Sequence, residues 1–115
     1  MFALFVCTWN VQRSKTAESV FKELVRGIPE VSVNSAGTEA NVKLGGQQLT
    51  AEMLKQADLV FVMEEDHVFF IKKNFPNSTS KVINLDILNV YYRDDPYLVL
   101  QLKEKLMPFV KKLRK

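Results

Sequence analysis

The sequence predicts an α/β fold, a three-layer sandwich in which a four-stranded parallel sheet is covered by helices on both faces. Short apolar runs typical of buried strands alternate along the chain with segments whose apolar residues recur at helical spacing. Right-handed crossover connections leave few other arrangements for that alternation. The length of 115 residues corresponds to one domain, and we expect residues 1–115 to form it.

Four segments have the composition of strands. The first, residues 2–6, is almost continuously apolar, as expected of a strand buried on both faces. The second, residues 31–35, alternates and is expected at a sheet edge. The other two cover residues 59–63 and 82–85. A strand order of 2-1-3-4 places the loop after the first strand at the switch point between strands one and three, where such folds bind ligands.

A helix is predicted after each strand. The first contains apolar residues at helical spacing from Ala17 onwards, and Thr50 is a candidate N-cap for the second. The third begins with an acidic turn at residues 64–66, which suits the positive end of a helix dipole. The last covers residues 98–113 and contains Pro108, which we expect to kink or restart it.

The composition is that of an ordinary globular protein, with 47% apolar and 25% charged residues. The net charge of +3 is modest, and much of the basic excess lies in residues 111–115 at the end of the last helix. Cations there complement the helix dipole, so we expect no nucleic-acid partner. The N-terminal apolar run is too short for a signal peptide or a membrane span, and we expect no membrane partner.

Cys7 is the single cysteine, so it has no partner for an internal disulfide. A reactive thiol is best kept in a reducing compartment, which favours a cytoplasmic location. His67 is the single histidine and lacks neighbours with metal-ligand spacing, so we expect it to be exposed or locally hydrogen-bonded. The sequence therefore suggests neither a metal nor another cofactor.

The loop between the first strand and the first helix has the composition of an oxyanion site. Backbone N–H groups at a helix start are unpaired, and the dipole adds positive charge there. Arg13 offers a planar fork of donors that matches two phosphate oxygens. Cys7, in the same field, should be a thiolate and a nucleophile at neutral pH. The pattern Cys-x5-Arg-Ser thus indicates attack on phosphorus, whereas a lone cysteine would more often be a small buried apolar residue.

The segment VCTWNVQRSKTAESVF resembles the signature VCxGNxCRSPxAEAVF of the low-molecular-weight protein tyrosine phosphatases. The matching residues are Cys7, Asn10, Arg13, Ser14, Ala17, Glu18, Val20 and Phe21. Matches continue in order at residues 35–38, 57–63 and 81–85. The chain is most similar to a shortened bacterial and archaeal branch of that family.

The resemblance implies a flavodoxin-like, phosphotyrosine phosphatase I-like fold and a phosphoric monoester hydrolase. Its substrates would be protein phosphotyrosine or small phosphate esters such as aryl phosphates, cleaved through a phosphocysteine. The loop would also accept inorganic phosphate or sulfate. The resemblance assigns phosphate binding to Thr8, Trp9, Asn10, Val11, Gln12, Arg13 and Ser14.

Other residues have roles only by this resemblance. Ser14 would stabilise the Cys7 thiolate, and Ser35 would orient Asn10, although it is equally a plain turn serine. Trp9 replaces the usual glycine and either walls the pocket, where it could stack on an aryl phosphate, or merely covers the loop. Gln12 replaces a second cysteine, so no local disulfide can protect Cys7 from overoxidation.

Two positions are candidates for the general acid in this interpretation. Asp95-Pro96-Tyr97 matches the Asp-Pro-Tyr segment that supplies the acid in the family, and Asp95 is our candidate. The same residues equally suit a helix start, with Asp95 as N-cap and Pro96 at the first helical position. In the register of the shortened branch, Asn89 occupies the position of the acid, and an amide releases no proton at neutral pH. The side chain of Asp94 or Asp95 would then have to reach the leaving group from farther along the chain, or the enzyme would be slow.

Three alternatives to a phosphatase remain open at this point. An oxyanion-binding pseudophosphatase or regulatory module would be consistent with Asn89. An arsenate reductase would need an external thiol, because the chain contains no further cysteines. A phosphocarrier is also conceivable, although Arg13 favours activation of the transfer step.

Overall fold

Residues 1–114 are described by the structure, a computed structural model. Strands and helices alternate along them, and one short 3-10 turn, Val42–Leu44, lies between the second strand and the second helix. The elements are β1 (Phe2–Cys7), α1 (Arg13–Leu24), β2 (Ser32–Gly37), α2 (Ala51–Gln56), β3 (Leu59–Val62), α3 (Glu65–Asn74), β4 (Lys81–Asn84) and α4 (Pro96–Leu113).

The four strands form one parallel sheet in the order β2-β1-β3-β4, which confirms the predicted order. Strand β2 is an edge, as expected from its alternating pattern. Strand β1 is central, with Val6 opposite both Ala36 on β2 and Val62 on β3. Cys7 is the last residue of β1 and lies opposite Gly37. The chain therefore leaves the centre of the sheet at Cys7, at the switch point.

Apolar layers cover both faces of the sheet. On one face Phe5 packs with Phe21 of α1 and with α4, and its ring stacks on Phe61 of β3 at 5.0 Å. On the other face Leu4 and Val6 pack against α2 and α3. Successive strand residues point to opposite faces, so burial on both sides requires the continuous apolar run seen in β1.

Helix α4 is continuous. It begins at Pro96 and continues through Pro108 to Leu113, so of the two effects expected of Pro108, a kink or a restart, the restart does not occur. Its buried side chains Leu102, Leu106 and Val110 hold it against the core on both sides of the proline, which is itself exposed. Within residues 1–114, no helix combines the length and the apolar character needed to cross a membrane.

Candidate active site

The side chain of Cys7 is buried at the carboxyl end of β1 and contacts the start of α1. Its Sγ lies 2.9 Å from Oγ of Ser14. Ser14 Oγ in turn accepts a hydrogen bond of 2.7 Å from Nδ2 of Asn10. Because the amide nitrogen can only donate, the hydroxyl hydrogen of Ser14 is available to the sulfur. The arrangement supplies a donor to a Cys7 thiolate.

Asn10 is held by a residue that sequence reasoning missed. Its Oδ1 accepts from the backbone N–H of Gln47 at 2.9 Å, and its backbone adopts a left-handed φ of 59°. The expectation that Ser35 orients Asn10 is wrong, because the Ser35 hydroxyl donates to Glu18 instead. Gln47 lies between the second predicted strand and the second predicted helix, so no local pattern indicated its role.

The backbone of the Cys7 loop is braced from one side by the segment that follows β2. The carbonyl oxygens of Cys7, Thr8 and Trp9 each accept from an amide of residues 38–41 at 2.9 Å. In a planar trans peptide the C=O and the next N–H point in opposite directions, so the amides of residues 8–10 face away from this brace. Within residues 1–114, the amides of residues 8–14 have no hydrogen-bond acceptor. They are free to bind an oxyanion.

Two glycines allow the brace to approach closely. A Cβ at Gly37 would lie 2.5 Å from the carbonyl oxygen of Thr8, and a Cβ at Gly46 would overlap the carbonyl oxygen of Trp9. Neither backbone oxygen can move without distorting the loop. The need for glycine at these positions is thus a packing requirement of the loop and not one of a turn.

Arg13 is buried, and both terminal nitrogens of its guanidinium have partners. Nη1 donates to the carbonyl of Ile87 at 2.8 Å, and Nη2 pairs with Glu64 at 2.7 Å. The remaining N–H donors are available to a ligand. Glu64 caps α3 and was predicted only as part of an acidic helix start. Its position directly after β3, at the edge of the sheet where β1 also ends, was the available signal.

His67 links α3 to the Cys7 loop. Its Nδ1 accepts from the amides of Met63 and Glu64 at 3.3 and 3.1 Å, so the ring proton lies on Nε2 and is donated to Thr8 Oγ1 at 3.0 Å. Burial, and then the charge of Arg13, lower the pKa of His67 to about 4, so the ring is neutral at pH 7. Local hydrogen bonding is confirmed, and exposure is wrong. The Thr8 hydroxyl keeps its own hydrogen free to donate.

A cavity of about 300 Å³ opens above the sulfur. Its lining consists of Cys7, Thr8, Trp9, Gln12, Arg13 and Asn89. Of the predicted phosphate-binding residues, Thr8, Trp9, Gln12 and Arg13 line the cavity, and Asn10 and Ser14 lie behind it. The side chain of Val11 is absent from the lining. Trp9 is 53% exposed and forms part of the wall, as one of its two interpretations required.

The structure does not place Asp95 in this cavity. Its Oδ1 accepts from the amide of Tyr97 at 2.8 Å, so it serves as the N-cap of α4, the other role considered for it. Asp94 is also absent from the lining, and its amide donates to Thr16 Oγ1 at 2.9 Å. Asn89 lines the cavity instead. The geometry therefore agrees with the register in which Asn89 occupies the position of the acid.

Comparison with known proteins identifies relatives of this chain. A family model described as "Low molecular weight phosphotyrosine protein phosphatase" matches residues 3–57. The probable low molecular weight protein-tyrosine-phosphatase EpsP of Ralstonia solanacearum is 30% identical, with 82% of this chain and 77% of EpsP covered. The protein-arginine-phosphatase of Bacillus subtilis (strain 168) is 32% identical, with 74% and 70% covered.

Solved structures share the fold. The YwlE arginine phosphatase, a mutant with a phosphorylated active site serine, superposes with a TM-score of 0.80 at 28% identity over 100% of this chain and 97% of the other. The tyrosine phosphatase Wzb from Escherichia coli K30, in complex with phosphate, gives a TM-score of 0.78 at 23% identity over 97% of each chain.

Proposed function

This chain belongs to the low molecular weight protein-tyrosine-phosphatase family, a family of cysteine-based phosphatases, and we propose that Cys7 is its nucleophile. The thiolate attacks the phosphorus of a phosphate monoester and forms a phosphocysteine, which water then hydrolyses. Arg13 and the amides of the loop hold the phosphoryl oxygens, where they stabilise the charge of the transition state.

One observation carries this proposal: Cys7 Sγ lies 2.9 Å from the Ser14 hydroxyl at the base of a cavity that Arg13 also lines. The sulfur is surrounded by a hydroxyl donor, a buried guanidinium and unpaired amides. These groups favour both a thiolate and an anionic ligand. A cysteine that served only as a small core residue would have no need of these groups.

The relatives support the kind of ligand. The YwlE structure contains a phosphorylated active site serine, and the Wzb structure contains phosphate. We propose protein phosphotyrosine or small aryl phosphates as substrates, with inorganic phosphate or sulfate as ligands of the loop. Phosphoarginine is the alternative that the name of the Bacillus subtilis relative suggests. A cytoplasmic location would keep the thiolate in a reducing environment.

The test is hydrolysis of p-nitrophenyl phosphate by the wild type, Cys7→Ser and Arg13→Lys. We expect Cys7→Ser to abolish turnover, and Arg13→Lys to reduce kcat/KM by about 10²-fold because a lysine cannot offer a bidentate fork. A phosphorylated Cys7, detected by mass spectrometry after acid quenching, would identify the intermediate. Turnover that survives Cys7→Ser contradicts the proposal.

A second candidate function, a phosphate-binding pseudophosphatase, is favoured by Asn89 in the cavity wall. It predicts that the wild type binds phosphate, as measured by calorimetry, without phosphocysteine or turnover from any donor.

A further inference from the structure

We propose that, among the substrates of this phosphatase, phosphoryl donors whose leaving groups depart without a proton react fastest, acyl phosphates above all, and that phosphotyrosine and other esters of weakly acidic phenols and alcohols are hydrolysed slowly. The inference rests on the proposed function and concerns the substrate class of the same site. It follows from the chemistry of the cavity wall, which apart from the nucleophile consists of Thr8, Trp9, Gln12, Arg13 and Asn89. A hydroxyl, an indole, two carboxamides and a guanidinium release no proton at neutral pH.

The carboxylates of Glu64, Asp94 and Asp95 lie outside the lining of this cavity. Glu64 is paired with Nη2 of Arg13 at 2.7 Å and lines a different cavity, together with Asp86. Asp95 caps α4 through Oδ1. The backbone amide of Arg93 donates to Gln12 Oε1 at 2.5 Å. The backbone amide of Asp94 donates to Oγ1 of Thr16. Two contacts to α1 and its cap thus hold this segment, which opposes a swing of either carboxylate over the sulfur.

Two other titratable side chains, those of His67 and Tyr91, are also unsuited to act as the acid. His67 carries its proton on Nε2 and donates it to Thr8, but a neutral imidazole is not an acid at pH 7. Protonation of Nδ1 would break its two bonds from backbone amides. The hydroxyl of Tyr91 accepts from Gln101 at 2.6 Å, and Tyr91 does not line the cavity of Cys7.

The reaction balances without an acid when the leaving group is stable as an anion. Cys7 Sγ bonds to phosphorus as the bond from phosphorus to the leaving oxygen breaks, and that oxygen keeps the electron pair. A carboxylate leaves readily because its conjugate acid has a pKa of about 4, whereas a tyrosine phenolate has one of about 10. In the second step water attacks phosphorus, the thiolate leaves with the S–P pair, and the proton of the water goes to solvent. Without a base this step is slow, so phosphocysteine accumulates.

The experiment measures kcat/KM for phosphates with leaving groups of increasing pKa, namely acetyl, dinitrophenyl, p-nitrophenyl and phenyl phosphate and a phosphotyrosine peptide. We expect the wild type to lose activity steeply along the series. Asn89→Asp places a carboxyl in the cavity wall and should flatten the dependence, raising kcat/KM on phenyl phosphate by about 10² to 10⁴-fold. The gained activity should fall as pH rises through the titration of that carboxyl.

Asp95→Asn is the matched control, because asparagine caps a helix as well as aspartate does. It should leave the leaving-group dependence unchanged. A flat dependence in the wild type would overturn the inference, and so would a dependence that becomes steep only in Asp95→Asn. The leaving-group series measured on the wild type tests the inference even if Asn89→Asp fails to fold. Absence of phosphocysteine with every donor, acetyl phosphate included, would instead contradict the proposed function.

Discussion

Residues outside the Cys7 loop determine how its side chains are presented. The backbone N–H of Gln47 orients Asn10, which in turn polarises Ser14 towards the sulfur. The neutral ring of His67 accepts hydrogen bonds from two backbone amides and donates one to the Thr8 hydroxyl. The contacts of Gln47 with Asn10 and of His67 with Thr8 join residues far apart in sequence. Asn10 and His67 donate to the hydroxyl oxygens of Ser14 and Thr8, so the hydroxyl hydrogens of both remain available to the site. The donors around the sulfur are therefore organised before any ligand arrives.

His67 gives a prediction about pH. Its pKa in the fold is about 4, against an ordinary value of about 6.5. The unfolded chain binds the proton first as pH falls, so the stability that His67 contributes is complete above about pH 6.5 and is lost as pH falls through about 4. We expect thermal unfolding midpoints to decrease from pH 7 to pH 4.5, and His67→Leu to show a smaller decrease than the wild type.

Comparison with His67→Leu is needed because protonation of carboxylates in general also changes stability at acid pH. An equal decrease in both proteins would show that His67 is not the group responsible. The variant should also be less stable than the wild type at pH 7, since the amides of Met63 and Glu64 lose their acceptor.

At the scale of elements, two segments have different roles in the site, one after β2 and one after β4. The first braces the carbonyls of residues 7–9. In the second, the amide of Ile87 donates to the carbonyl of Met63, the residue after β3, at 2.8 Å, and Asn89 lines the cavity. One segment shapes the oxyanion loop, and the other decides whether a proton donor faces it.

Gly37 tests the brace. Alanine there would bring a Cβ within 2.5 Å of the Thr8 carbonyl oxygen, which is backbone and cannot rotate away. We expect Gly37→Ala to lower the free energy of unfolding by about 1–3 kcal/mol and to reduce kcat/KM, because the loop amides shift. Urea unfolding and p-nitrophenyl phosphate hydrolysis measure the two effects. Ser32→Ala, at the exposed start of the same strand, is the control and should change neither.

At the scale of the whole molecule, the chain has one cysteine and places it at the base of the site. A Cys7 sulfenic acid has no second cysteine in the chain with which to form a protective disulfide. Oxidation therefore proceeds to the sulfinic acid.

We expect hydrogen peroxide to inactivate the enzyme irreversibly, with mass spectrometry showing two added oxygens on the peptide that contains Cys7. Inorganic phosphate in the cavity should slow the loss. Full recovery of activity with dithiothreitol after complete inactivation would contradict this prediction.

The sequence by itself determined the sheet, its order, the position of Cys7 at the end of β1 and the Thr50 cap, because hydrophobic periodicity and capping are local signals. Only the tertiary structure showed that Asp95 caps α4 and lies outside the lining of the Cys7 cavity, since Asp before Pro suits a helix cap and a catalytic motif equally. It also decided that Glu64, His67, Gln47 and Asn89 meet the Cys7 loop. These contacts join segments that are remote in sequence, and the spacing of residues along the chain does not specify which of their side chains come within hydrogen-bond distance.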